Sequence, residues 1–145
     1  MIPSRIVLDT SVLVAAHRSR NGASSMLLRA CIAGEFRMVA TATLFFEYEE
    51  VLSRPEHGIP HEFLETMLKD LAAIIEPTRI DYQWKPQLAD PDDELVLEAA
   101  TNGHAQAIVT HNVRDFAAVP KQFTIAVLTP GDIIKLRRSH PWQPK

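Results

Sequence analysis

Three acidic positions in this 145-residue chain stand where carboxylates can act together. Asp9 directly follows the apolar run Ile6-Val7-Leu8, and Thr10 and Ser11 follow it at the start of a small-residue helix. A carboxylate at the carboxyl end of a first buried strand sits where open α/β sheets bind ligands. It is costly there unless paired, although it can also cap the next helix. Asp93 lies in the first turn of a predicted helix opening with Asp90-Pro91, where acids are also good capping and dipole chemistry. Its i+3, i+4 and i+7 neighbours are Val96, Leu97 and Ala100, so its side chain points along the core-facing side. A third acid comes from a helix running to about Leu52. There Leu44, Phe45, Tyr48, Val51 and Leu52 define the apolar face, and Glu47 and Glu49 both lie at its edge, so the helical wheel does not choose between them. Three carboxylates gathered at one sheet edge hold a hard divalent cation, and such a cation serves phosphodiester hydrolysis.

A further set follows the apolar run Ala107 to Val109. The segment Thr110-His111-Asn112-Val113-Arg114-Asp115-Phe116 leaves the same sheet edge as Asp9. Thr110 can orient an acid or a water through its hydroxyl, and Asn112 can accept from a metal-bound water or face a phosphate. Asp115 can supply charge or cap a short helix. His111 reads as an ordinary loop histidine rather than a ligand.

Strands and helices must alternate to bring these groups together. Strands are expected at Arg5 to Leu8, Phe36 to Ala40, Glu76 to Ile80, Ala107 to Thr110 and Phe123 to Leu128. Helices are expected at Ser11 to Ala16, Ala23 to Cys31, from Thr41 or Thr43 to Leu52, His61 to Ile75, Asp90 to Thr101 and from Pro130 to about Arg138. The helix at His61 to Ile75 carries one apolar stripe of Phe63, Leu64, Met67, Leu68, Leu71, Ala72 and Ile75. Tyr82 to Ala89 reads as irregular. The alternation predicts a three-layer α/β/α sandwich around a mainly parallel central sheet. Residues 1–138 are expected to form one domain and residues 139–145 a frayed tail.

Hydrophobic residues make up 46% and charged residues 23% of the chain, an ordinary globular composition. No apolar run approaches the ~20 residues of a membrane helix, and no signal peptide is read at the start. The lone Cys31 excludes an internal disulfide and a multi-cysteine zinc site, and it reads as a buried helix residue. These features predict a cytoplasmic protein. A net charge of −3 argues against coating nucleic acid by bulk attraction, yet clustered acids neutralised by metal leave basic residues for a substrate. Arg18, Arg20 and Arg114 are rim candidates, and Lys135, Arg137 and Arg138 form another basic cluster.

The order of these motifs resembles the PIN domain, the metal-dependent ribonuclease fold found in toxins of toxin–antitoxin pairs. The resemblance rests on Val7-Leu8-Asp9-Thr10-Ser11-Val12-Leu13, Glu47 with Glu50-Val51-Leu52, Asp90-Pro91-Asp92-Asp93 with Leu95 to Ala100, and Ile108-Val109-Thr110-His111-Asn112 with Asp115-Phe116. Leu128-Thr129-Pro130 also fits. The resemblance implies Asp9, Glu47 and Asp93 as the catalytic acids, selecting Glu47 over Glu49. It implies Mg²⁺ or Mn²⁺ held by Asp9, Asp93, Glu47 and Asp115, with Thr10, Thr110, Asn112 and Arg114 positioning substrate or water. The family often has an acid where this chain has Asn112, which removes a charge and puts a second metal in question. The implied partners are RNA, a cognate antitoxin and a second copy in a homodimer. The sequence itself offers Phe46 and the 63–75 helix as contact surfaces, or as core residues.

Two rival readings carry different chemistry. A haloacid-dehalogenase-type phosphatase also begins with an acid after its first strand, but it needs a second acid where this chain has Ser11. A catalytically weak module that binds RNA or protein through a degenerate acidic pocket is consistent with Asn112.

Overall fold

The computed structural model describes residues 2–81 and 87–140. Five strands form one all-parallel sheet: β1 (Arg5–Leu8), β2 (Arg37–Ala40), β3 (Glu76–Pro77), β4 (Ala107–Val109) and β5 (Ala126–Leu128), in the order β3-β2-β1-β4-β5. Seven helices flank it among the described residues: α1 (Thr10–Arg18), α2 (Ala23–Ile32), α3 (Ala42–Leu52), α4 (His61–Ile74), α5 (Pro91–Asn102), α6 (Val119–Gln122) and α7 (Pro130–Ser139). This is the three-layer α/β/α arrangement expected from the alternation. Helix α5 lies against β1, β2 and β4, while α2 packs with α1 and α7.

The central strands need no alternation because both faces are covered. Ile6, Val7 and Leu8 are wholly buried, as are Ala107, Ile108 and Val109. One continuous apolar cluster runs from these strands into Val12, Leu13, Leu27, Leu44, Leu97 and Ile133. The chain winds outward from β1 through β2 to β3, then returns to β4 on the other side. The topological switch point therefore falls between β1 and β4, where open α/β sheets form ligand crevices. Leu8 pairs with Val109, so Asp9 and Thr110 are the next residues in register and flank that crevice.

Local chemistry fixes the helix starts. Thr41, not Thr43, caps α3 by accepting from Leu44 N–H at 3.1 Å. Asp90 caps α5 at Asp92 N–H, with Pro91 in the first helical position. Thr129 and Asp132 form a reciprocal capping box on α7. Gly103 ends α5 for a different reason from a left-handed turn. A Cβ there would stand 2.8 Å from the Ala99 carbonyl and 2.9 Å from Thr78 Oγ1, so only glycine lets α5 settle against β2.

Several expected boundaries shift. The strand expected at Glu76 to Ile80 is two residues long, with a proline, on the sheet edge. The last strand is confined to Ala126–Leu128, because Val119–Gln122 forms a short helix just before it. The α4 stripe is narrower than expected. Leu64 and Leu71 are buried, but His61, Glu62 and Phe63 are exposed, so the first turn projects past the core. Phe63 is 68% exposed, and Ala72 is exposed too. Ser139, expected in the frayed tail, closes α7, and residues 141–145 lie outside the described residues. The irregular stretch expected at Tyr82 to Ala89 falls mostly on residues 82–86, also outside them.

Tyr48 ties α3 to the end of β1. Its buried hydroxyl donates to the Leu8 carbonyl at 2.5 Å, one residue before Asp9. Burial and the neighbouring Asp9 carboxylate push the phenol well above its ordinary range. It therefore stays a donor. Tyr48→Phe leaves a buried carbonyl without its partner and is expected to lower stability by about 1–2 kcal/mol. Urea denaturation reads this directly, and an unchanged midpoint would show that the bond contributes nothing.

Candidate active site

Asp9 is held by two hydroxyls. Ser11 Oγ donates to Asp9 Oδ2 at 2.8 Å, and Thr110 Oγ1 donates to the same oxygen at 2.7 Å. None of the described residues donates to Oδ1 in a hydrogen bond. Asp9 occupies the N-cap of α1, yet its side chain makes no capping bond. Capping therefore does not explain this acid. Its carboxylate turns to the neighbouring strand end, where Thr110 is fully buried and Thr10 nearly so. Asn112 N–H donates to Thr110 Oγ1 at 2.9 Å, so that hydroxyl is oriented from behind.

Asp93 reaches the same crevice from α5. Val96, Leu97 and Ala100 on its face are buried, as the spacing predicts. Its carboxyl is pushed up to about 7, by burial first and then by Asp9, Asp90, Asp115 and Asp92. Every one of those charges is negative. Asp115, exposed in a 3-10 turn at Val113–Phe116, is among the charges that raise Asp93. Asn112 and Arg114 are exposed on the same loop.

Glu47 is separated from its neighbours by burial. It is half-buried, whereas Glu49 and Glu50 are exposed, and Glu50 is paired with Arg54 at 2.8 Å. Burial raises the Glu47 carboxyl, and so do Asp92, Glu50 and Asp90, against an opposing pull from Arg54. Glu47 therefore faces the acidic start of α5. The charges that move it most are Asp92, Glu50, Arg54 and Asp90 rather than Asp9 or Asp93.

Some participants were not singled out by sequence. Asp90 and Asp92 contribute to the field at both Asp93 and Glu47. The run Asp90-Pro91-Asp92-Asp93 held that signal, but it also satisfies helix capping, and Asp90 does cap. Glu94 Oε1 accepts from the backbone N–H groups of Gln87 and Leu88, which fixes the chain entering α5. The basic cluster in α7 belongs elsewhere: Arg137 pairs with Glu35 just before β2 begins, at the opposite sheet edge. Cys31 is buried and its thiol is pushed up to about 12, mainly by desolvation, which leaves it unreactive.

No three Asp, Glu, His or Cys side chains among the described residues are already arranged to hold a metal ion. The donor set nevertheless fits a hard divalent cation in kind and in charge. It is all oxygen, it crowds negative charge around Asp93, and Oδ1 of Asp9 takes no hydrogen bond from the described residues.

A family profile described as PIN domain matches residues 5–114, well over half the chain. The chain belongs to the PIN domain family. The matched span contains Asp9, Glu47, Asp93, Thr110 and Asn112 and stops just short of Asp115. PIN domains are generally nucleases and usually use divalent metal ions, so this PIN domain has a nuclease-type fold. The haloacid-dehalogenase alternative is set aside, and the Ser11 hydroxyl that stood against it is bonded to Asp9. No curated protein is similar enough in sequence to count as a match. No helix among the described residues is long and apolar enough to cross a membrane.

Proposed function

We propose that this PIN domain is a Mg²⁺- or Mn²⁺-dependent endoribonuclease, acting in the cytoplasm as the toxin of a toxin–antitoxin pair. The observation that carries the reading is the crowding of Asp9, Asp93 and Asp115 at the switch point. Burial first, and then this crowding, lifts the Asp93 carboxyl to about 7. Asp9 and Asp93 would hold the ion, with Asp115 and Glu47 supplying outer charge. A bound divalent ion supplies Lewis-acid stabilisation of charge on the phosphate oxygens. Ser11 and Thr110 keep Asp9 oriented, and Thr10 and Asn112 position water or phosphate. Glu47, with its raised carboxyl, takes a proton from the attacking water. Arg114, Arg18 and Arg20 hold the RNA backbone from the rim.

Partner binding has its own support. A groove of about 230 Å³ is lined by Ala42, Phe45, Phe46, Ala72, Ile75 and Pro77, and Phe46 is 66% exposed. An antitoxin segment or a second copy is the occupant in this reading.

Incubating the purified chain with single-stranded RNA tests the activity. Cleavage is expected with Mn²⁺ or Mg²⁺ and is expected to vanish with a chelator. A second reading, a catalytically weak module that binds RNA or protein, is favoured by Asn112. RNA retention without cleavage across both metals would select it. The role of Glu47 has a sharper test. Glu47→Gln is expected to lower turnover about 10²-fold, the scale of general-base loss, whereas Glu49→Gln should leave it unchanged. Equal effects from the two would remove Glu47 from the mechanism.

A further inference from the structure

His111 lies outside the acidic set, yet it joins three elements around it. Its Nε2 shares a 2.7 Å hydrogen bond with Ser24 Oγ in the first turn of α2. Ser24 is only 4% exposed whereas His111 is exposed, so the bond is half-buried and seats a surface imidazole on a buried hydroxyl. The His111 backbone N–H donates to Ser11 Oγ at 3.3 Å. Ser11 Oγ in turn donates to Asp9, and on the other side of His111 the Thr110 hydroxyl does the same. The loop after β4 is thereby pinned to α1 through its backbone and to α2 through the imidazole. Helices α1 and α2 pack closely on each other, and the turn between them carries Arg20 just beyond Arg18.

We infer that His111 is a positioning residue: its bond to Ser24 clamps the 110–112 loop against the α1–α2 hairpin, so that both hydroxyls stay on Asp9 Oδ2. The imidazole touches neither substrate nor metal in this role. Its work is to stop the loop from lifting, which would take the Thr110 hydroxyl off Asp9 and let the carboxylate rotate. The inference rests on the nuclease reading only for its kinetic consequence, because the clamp itself acts on the geometry of the metal-binding acid.

The test uses the full chain with His111→Ala, His111→Phe and His111→Gln beside the unchanged protein. Phenylalanine keeps a ring without the hydrogen bond, and glutamine places an amide near the Nε2 position. Circular dichroism first establishes that each variant folds. Mn²⁺ affinity is then measured by calorimetry without RNA, and amide exchange over residues 110–112 is followed in metal-free protein. Alanine and phenylalanine are expected to weaken Mn²⁺ binding about tenfold, the scale of outer-shell partners, and to speed exchange in the loop. Glutamine should restore most of both. With RNA, the loss should appear in kcat with KM little changed. Wild-type affinity and exchange in the alanine and phenylalanine variants would overturn the clamp, and so would a glutamine variant no better than alanine. If the unchanged protein binds Mn²⁺ but never cleaves RNA, the nuclease reading fails while the affinity and exchange data still decide the role of His111.

Discussion

Asp9→Asn is expected to lower metal-dependent RNA cleavage by about 10³-fold or more, since a bound cation contributes several kcal/mol to the transition state and each 1.4 kcal/mol is about tenfold. Asparagine has the shape of the aspartate and can still accept the Ser11 and Thr110 hydroxyls on its carbonyl oxygen. It loses the negative charge, and its amide presents hydrogens where Asp9 Oδ1 takes no hydrogen bond from the described residues. The substitution therefore removes the cation's anchor while leaving the packing of β1 and α1 in place. It also removes one of the charges repelling Asp93, so the metal-free protein is expected to melt no lower than the unchanged one. Asp93→Asn is expected to behave in the same way. Cleavage assays paired with thermal melts separate the two effects. Wild-type cleavage in either variant would detach the acids from the chemistry, and collapse of the fold would mean that they are structural.

The fold was legible because its signals are local and repeated. The run Ile6-Val7-Leu8 has no polar break, which marks a strand covered on both faces, and Asp90-Pro91 announces its helix within four residues. What failed was set by neighbours distant in sequence. Phe63 fits the helical stripe of α4, but whether a residue on a stripe is buried depends on what packs over it, and Phe63 stays 68% exposed while Leu64 and Leu71 are covered. The site divides in the same way. The inward face of Asp93 follows from helix geometry, and Asp9 from its place after a strand. Glu47 against Glu49 was not decidable on the wheel, because the deciding contact is the acidic start of α5, more than forty residues on. The bond from His111 to Ser24 spans 87 residues, and neither residue carries a pattern that points to the other.

Acidity should act on this site in opposite directions with and without metal. The Asp93 carboxyl is raised, mainly by burial and then by Asp9, to about 7 in the folded chain. In the unfolded chain it ionises near the ordinary value of about 4. Between those values the unfolded state has released the proton and the folded state still holds it. Metal-free stability from this group is therefore fully present below about pH 4, declines as pH rises, and is lost by about pH 7. Glu47 and Glu98 are raised as well and act in the same direction. A divalent ion must displace the Asp93 proton, so its apparent affinity should rise about tenfold per pH unit up to about pH 7 and then level off. Saturating Mn²⁺ stabilises the fold in proportion to the logarithm of that affinity. Melting temperature is thus expected to fall with pH in the metal-free protein, while the increment added by Mn²⁺ grows. Calorimetry in two buffers of different ionisation enthalpy should show close to one proton released per ion bound at about pH 6, and far less at about pH 8. Asp93→Asn should flatten much of the metal-free trend. A metal-free melting temperature independent of pH over this range, with no proton release on Mn²⁺ binding, would mean that Asp93 is an ordinary ionised surface acid and that no crowded carboxylate site awaits a cation here.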